Sequence, residues 1–400
     1  MNNKWTYKTF GEVGSFLRGK SIQKADFVEK GMPCIHYGQI HTKFGISVDK
    51  HLSEIPLEVY NKSIIASPGD VIIAITSEDL NGSCKSTVWL GDYDVAVSAH
   101  AAVYKHNLNP KFIAYYLRSN SFYTEKEKYA RGFKVMEIKP TDIARIPIPV
   151  PSHSIQQSVV EELDNINELI KLKKSQLIDL DSLATGIFYD MFGDPVGNEK
   201  KWEFKRLSEI SSLISNGNTP KGGSEVYVDN GYLFLRSQNV WKNRIDLDDV
   251  AYIDEATHSK LKKSILMHND LLITKTGRFN TENSSLGRTA LFEGEDGSAN
   301  INGHVYLVRL KKGMIHKFVL YILISDSYKQ LIRKTCVGGI DKRQLNKDHI
   351  EDFPIIFPPI ELQSDFVKKV EIIEEEKKRV STTINDLETL FASRLQYWFG

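Results

Sequence analysis

Residues 144–157 read ARIPIPVPSHSIQQ, and residues 351–363 read EDFPIIFPPIELQ. Proline lacks a backbone N–H and cannot sit inside a helix, so each stretch ends one body and leads into another. A shift of 207 lays one on the other without a gap. Ile143 falls on Ile350, Pro147 on Pro354, Pro151 on Pro358 and Gln156 on Gln363. The register still holds where MFG (191–193) meets WFG (398–400). A match kept from Ile143 to Gly193 marks an internal duplication.

The run after each proline stretch has a helical period. Val159, Leu163, Ile166, Ile170, Lys173, Leu177, Leu180, Ala184, Ile187 and Met191 alternate spacings of four and three. The second copy gives Phe366, Val370, Ile373, Lys377, Val380, Ile384, Leu387, Phe391, Arg394 and Trp398. Such spacing over four heptads is a coiled-coil seam. We expect two helices of about 40 residues and about 60 Å each, paired with one another within the chain. Their seam would be Leu163, Ile166, Ile170, Leu177, Leu180 and Ile187 against Val370, Ile373, Ile384, Leu387 and Phe391. Gly186 is the weak point, at about 1 kcal/mol against alanine.

The blocks between these helices repeat as well. WTYKTFGEV (5–13) resembles WEFKRLSEI (202–210), and SPGDVIIAIT (67–76) resembles MHNDLLITKT (267–276). GMPCIHYGQI (31–40) resembles GYLFLRSQNV (231–240). SAHAAVYK (98–105) matches NGHVYLVR (302–309), and KFIAYYLRS (111–119) matches KFVLYILIS (317–325). The shift grows from 197 to 207, as loop insertions produce. DVIIAIT and DLLITKT read as buried strands and KFIAYYL as a helix. The fold class is therefore α/β (α+β). Two globular domains are separated by two long helices that form an antiparallel coiled coil with pseudo-two-fold symmetry. The expected divisions are 1–147, 148–200, 201–354 and 355–400.

Charge follows the same division, although the chain as a whole carries only +1. Residues 1–150 hold 19 Lys/Arg against 15 Asp/Glu, and residues 201–345 hold 22 against 16. Residues 151–200 hold 4 against 9, and residues 346–400 hold 7 against 11. Basic globular bodies on acidic helices can neutralise phosphates. Cys34, Cys84 and Cys336 are odd in number and far apart, which argues for neither a disulfide frame nor a metal site and fits a reducing cytoplasm. No apolar run reaches the roughly 18–20 residues that span a bilayer, and MNNKWTYKTF has no signal-peptide pattern.

Motifs of catalysis are missing from the sequence. It has no GxxxxGK[ST] loop, GxGxxG, [DN]PP[YF], HExxH or paired CxxC, and FPPI (357–360) lacks the polar first residue of a methyltransferase tetrapeptide. Glu137–Lys139 has no acidic partner placed for a nuclease. His100 and His304 occupy equivalent places in apolar runs, and we expect a duplicated core or hydrogen-bonding histidine there.

What remains is loop chemistry suited to nucleic acid. Arg and Lys can bond guanine O6/N7, and Asn and Gln can bond adenine N6/N7. Ser, Thr and backbone N–H groups serve phosphates. In the first half the candidates are Lys20, Gln23, Lys24, His36, Tyr37, Gln39, Lys43, Lys85 and Lys134. In the second half they are Asn218, Thr219, Lys221, Arg236, Gln238, Asn239, Lys242, Arg244, Lys275, Arg278, Lys342 and Arg343. Lys221 is expected on a phosphate, and Gln238 and Asn239 on base edges. No catalytic residue and no metal ligand is expected.

Over essentially its whole length the chain resembles the specificity subunit of type I restriction–modification systems. The resemblance rests on ISNGNTPKGG and NGYLFLRSQNV (214–240), NDLLITKTG (269–277), INGHVYLV (301–308) and GGIDKRQLNKDHIEDFPIIFPPIELQ (338–363). The first half departs from it at GKSIQKADF (19–27), which lacks the Gly-x-Thr-Pro turn of Gly217–Pro220. The resemblance implies a non-catalytic cytoplasmic subunit whose two target-recognition domains each read half of a bipartite site on double-stranded DNA. Its helices would set the gap and dock two methyltransferase subunits that modify adenine, with restriction subunits joining them. S-adenosylmethionine, ATP and magnesium would belong to those partners. Two rivals stand beside this reading: a coiled-coil scaffold whose domains bind protein or sugar, and an enzyme with an unfamiliar site.

Overall fold

A computed structural model describes residues 5–20, 22–132, 135–281 and 283–400. The chain divides into two compact units, residues 1–175 with 381–400, and residues 176–380. Each unit holds one globular body and parts of both long helices.

In the first unit a five-stranded sheet runs in the order Gly14–Arg18, Ala101–His106, Val71–Ala74, Ser86–Trp89, Ser47–Val48. A second sheet runs Ser53–Ile55, Met32–Ile35, Val95–Val97, Ile64–Ala66, with Met32–Ile35 and Val95–Val97 parallel. The second unit repeats both. One sheet runs Ser211–Asn216, Val305–Leu310, Leu271–Thr274, Thr289–Leu291. The other runs Tyr227–Val228, Ala251–Ile253, Tyr232–Leu235, Ala299–Ile301, again with its last pair parallel. The central strands Val71–Ala74 and Leu271–Thr274 are buried at every residue. Their continuous apolar run is what burial on both faces requires.

The proline stretches are themselves strands. Pro147–Val150 pairs antiparallel with Thr6–Thr9, and Pro354–Ile356 with Phe204–Arg206. Each ribbon has two strands only, so a residue without an N–H can face its open side. The first and last strands of each globular body thereby close on each other. The divisions expected at 147/148 and 354/355 fall inside these strands, and the helices start later, at His153 and Ile360. The matched glutamines have a structural use here. Gln156 and Gln363 are buried, and each donates from Nε2 to the carbonyl of the proline five residues before it, at 2.9 and 2.8 Å.

Both helices are 40 residues long, His153–Phe192 and Ile360–Phe399. Every residue of the expected seam is buried or half-buried. In the first unit Glu162 takes the Arg394 guanidinium, with Nη2 to Oε2 at 3.0 Å, and the Trp398 indole N–H at 2.9 Å. Lys174 meets Glu388 at 2.7 Å. The partner number falls as the first rises, so the segments run antiparallel. In the second unit Asp181 pairs with Lys377, and Phe188 and Phe192 pack on Phe366, with the same sense. Phe188, Phe192, Leu395 and Phe399 lie beside the a/d positions and fill the globular cores instead. Gly186 is on the exposed side, with open space where a Cβ would stand.

Candidate nucleic-acid interface

One end of each globular body gathers the candidate loops around a node of four backbone hydrogen bonds. In the first unit Gly19 N–H donates to Ala101 O (2.9 Å) and Ser98 N–H to Ile35 O (3.2 Å). Ile75 N–H donates to His100 O and Ile138 N–H to Ile75 O, both at 3.0 Å. In the second unit Gly217 donates to Val305 (3.0 Å), Asn302 to Leu235 (3.0 Å), Lys275 to His304 (2.8 Å) and Leu345 to Lys275 (2.9 Å). The eight bonds are four bonds written twice. Each node ties together the exits of strands from both sheets, so loops distant in sequence share one edge.

Glycine is required at both nodes by close approach. A Cβ on Gly19 would lie 2.1 Å from the Ser98 carbonyl oxygen, and one on Gly217 would lie 2.2 Å from that of Asn302. The first half therefore has the equivalent of Gly217, although it lacks the Thr-Pro that follows.

On the first node Lys20, Gln23, Lys24 and Lys43 are exposed, and Tyr37 is half-buried. Lys134 lies outside the described residues. Three candidates are committed to the fold. His36 is buried and caps the helix Tyr37–Thr42, its Nδ1 accepting from Gly38 N–H at 3.2 Å. Burial, then the charges of Lys24 and His100, lower its pKa, and an accepting Nδ1 requires that neutral ring. Gln39 accepts from His36 N–H (2.9 Å) and donates to Ser53 Oγ (2.7 Å). Lys85 donates to the His41 carbonyl at 2.7 Å, and burial lowers its pKa.

On the second node Asn218, Thr219, Lys221, Gln238, Arg278 and Lys342 are exposed, and Arg236, Lys275 and Arg343 are half-buried. Strand pairing sets Arg278 opposite Lys342 and Gly277 opposite Arg343. The Phe279 ring meets the guanidinium groups of Arg333 (4.9 Å) and Arg343 (4.1 Å). Gln238 and Arg278 share a cleft with Trp241, Asn283 and Arg288. Arg288 covers the Trp241 ring at 3.8 Å, and Arg244 approaches it at 5.3 Å. Such stacking holds a cation in a fixed orientation. Lys242 leans 3.8 Å from Asp326. Trp241, Arg288 and Arg333 escaped the sequence reading, although an aromatic amid cations in RSQNVWKNR was the available signal.

Two expectations need correction. Asn239 is 1% exposed, and its amide is fully used by the loop. It accepts from Arg236 N–H (2.9 Å) and donates to Asp246 O (2.9 Å) and Asp249 O (3.1 Å). It has no group left for a base edge. Asn239→Ala is expected to leave the recognised sequence unchanged while destabilising the second unit by about 1–3 kcal/mol, the cost of stranding its backbone partners. Thermal unfolding of the variant checks the second half of that statement. Of the two roles expected for His100 and His304, the core role is corrected, while the hydrogen-bonding alternative stands for His304, whose Nδ1 lies 3.4 Å from Thr276 Oγ1. Both stand exposed in two-residue turns just before the long strands Ala101–His106 and Val305–Leu310.

Among the described residues no group of His, Cys, Asp and Glu is placed to hold a metal ion. The three cysteines are free and buried. No helix among those residues is long and apolar enough to cross a membrane.

The profile of the type I restriction modification DNA specificity domain matches this chain twice, at residues 2–181 and 199–388. The chain is 21% identical over 409 residues to the type I restriction enzyme EcoKI specificity subunit of Escherichia coli, covering 96% of this chain and 86% of the relative. Among solved structures it is similar to the S subunit of a type I restriction–modification system from M. genitalium, with TM-score 0.54 and 15% identity over 100% of this chain and 97% of that one. It is also similar to a chain from a study of complex assembly and conformational transition of the type I R-M system, with TM-score 0.60 and 18% identity over 100% and 98%. The duplicated nodes are thus one structural element in each of two specificity domains, and the chain belongs to the type I restriction modification DNA specificity family.

Proposed function

We propose that this chain is the DNA-reading subunit of a type I restriction–modification enzyme, and that each globular body reads one half of a bipartite site on double-stranded DNA. The observation that carries the reading is the duplicated node. The same backbone bonds recur in both units, and they fix rims of exposed polar side chains, Lys and Gln in the first and Asn, Lys, Gln and Arg in the second. Phosphate contacts position such a rim and amide and guanidinium groups read base edges. The scaffold and enzyme readings leave both the duplication of this cationic rim and the family match without a reason.

The paired helices act as the spacer between the readers and as the docking surface for two methyltransferase subunits, with restriction subunits joining that assembly. Adenine methylation and cleavage are the partners' chemistry, and S-adenosylmethionine, ATP and magnesium are theirs. Rigid helices suit a spacer because half-site separation then follows from protein geometry. The chain's charge of +1 supplies little attraction for DNA, so strong binding is expected only with a partner that adds positive surface.

Exchanging residues 201–345 for those of a relative tests the division of labour. Methylome sequencing of cells carrying the exchanged chain and its methyltransferase should show a split adenine-methylated motif with one half altered and the other half and the gap kept. An unaltered motif, or two altered halves, contradicts the proposal.

A further inference from the structure

The two copies within the chain allow a comparison position by position, and on the rim most positions differ. Lys20 stands where the second unit has Asn218, His36 where it has Arg236, Tyr37 where it has Ser237, and His41 where it has Trp241. Among the described residues, His100 and His304 are an exposed pair that is the same in both. Domains that read different half-sites need different base contacts. What any two half-sites share is the sugar–phosphate backbone.

We propose that His100 and His304 are paired phosphate clamps, one per half-site, that set each domain's register on DNA without reading sequence. The inference rests on the DNA-reading function proposed above and assigns a role to one position within it. The geometry suits a clamp. Each histidine's carbonyl is held by the N–H of the residue that follows a central strand, Ile75 at 3.0 Å for His100 and Lys275 at 2.8 Å for His304. The His304 N–H donates to Asn302 Oδ1 at 3.0 Å. The main chain is therefore fixed at the node while the imidazole remains exposed. Thr276 Oγ1 stands 3.4 Å from His304 Nδ1, and the Tyr37 ring lies 4.9 Å from that of His100, so each imidazole has a side-chain neighbour of its own. A donor on so rigid a turn can meet a phosphate oxygen with little loss of side-chain freedom.

The test uses the complex of this chain with its methyltransferase. Two probes are compared: a duplex carrying the motif that methylome sequencing defines, and an unrelated duplex of equal length. His304→Ala and His100→Ala should each weaken binding to both duplexes by the same factor, roughly tenfold for one hydrogen bond to a charged group. The methylated motif should stay unchanged. His304→Gln, which keeps an N–H donor, should recover most of the affinity, and its melting point beside wild type separates a contact from a folding defect. Relaxation at one motif position with unchanged affinity for the unrelated duplex would make the histidines base readers and overturn the clamp. Unchanged affinity for both duplexes would overturn it as well. A wild-type complex that does not prefer its motif would instead overturn the DNA-reading function itself.

Discussion

Gly217→Ala is expected to disable reading of the second half-site. The new methyl group would lie 2.2 Å from the Asn302 carbonyl oxygen and 2.5 Å from that of Ile301. Both obstacles are main chain, so no rotamer change relieves them. The turn Asn302–His304 or the strand exit Asn216–Gly217 has to move, and either shift pulls Gly217 N–H from Val305 O. Asn218, Thr219, Lys221 and His304 move with it. Inserting volume into a packed contact costs about 1–3 kcal/mol, which as affinity is roughly five- to 150-fold. On the proposed reading of a bipartite site, motif methylation in cells should fall accordingly. Gly19→Ala should do the same through the first unit, its Cβ being 2.1 Å from Ser98 O. Gly45→Ala, where no atom lies within 4 Å of a Cβ, is the matched control and should leave methylation intact. Full methylation in the Gly217 variant would mean that the node tolerates movement and does not set the readers.

The architecture was legible because it is written in periods. The alternation of four and three survives any surface change that keeps the seam apolar, and the seam residues from Leu163 to Phe391 are buried or half-buried in the structure. The shift of 207 needed only the prolines and glutamines. The rim was less legible, since the residue types that read bases also cap turns. His36 with Gln39 and Arg236 with Asn239 share the i, i+3 spacing of a capping box, and in both pairs the later side chain accepts the earlier N–H, at 2.9 Å. That spacing was visible in HYGQ and RSQN and would have moved Gln39 and Asn239 from reading to folding. His100 and His304 were misplaced for the opposite reason. The strands that follow them are apolar, but Asn302–Gly303 is turn chemistry, and the histidine belongs to the turn. Phe188, Phe192, Leu395 and Phe399 sit one position off the seam, where a two-helix pattern assigns no partner. Phe188 and Phe192 meet Phe366 of the other helix, but they also pack on Phe318 and Tyr321, and Phe399 packs on Phe112 and Tyr116. Those rings belong to the globular bodies, and no helical period encodes them.

Phe366→Ala is expected to be the most destabilising single change in the second unit. Phe366 is fully buried and meets Tyr321 at 5.1 Å, Phe188 and Phe192 at 5.5 Å, and Phe318 at 6.5 Å between ring centroids. These rings come from both long helices and from the helix His316–Leu323 of the globular body. One side chain therefore joins seam and domain core, and edge-on packing of this kind adds to simple burial. Removing a buried phenylalanine ring costs about 3–5 kcal/mol because the cavity closes only in part. For a unit of this size that corresponds to a loss of roughly 6–20 °C in the melting midpoint. Hydrogen exchange should locate the damage at residues 188–192, 318–323 and 366–373, and spare residues 112–116 and 395–399 of the first unit. The equivalent position there is Val159, so the duplicated helices keep one seam while filling two different cores. Val159→Ala removes less volume and should cost less. A shift below about 2 °C in Phe366→Ala, or equal loss of protection in both units, would show that the aromatic cluster is not what fastens the long helices to the globular body of the second unit; the expected local loss would make it the joint between them.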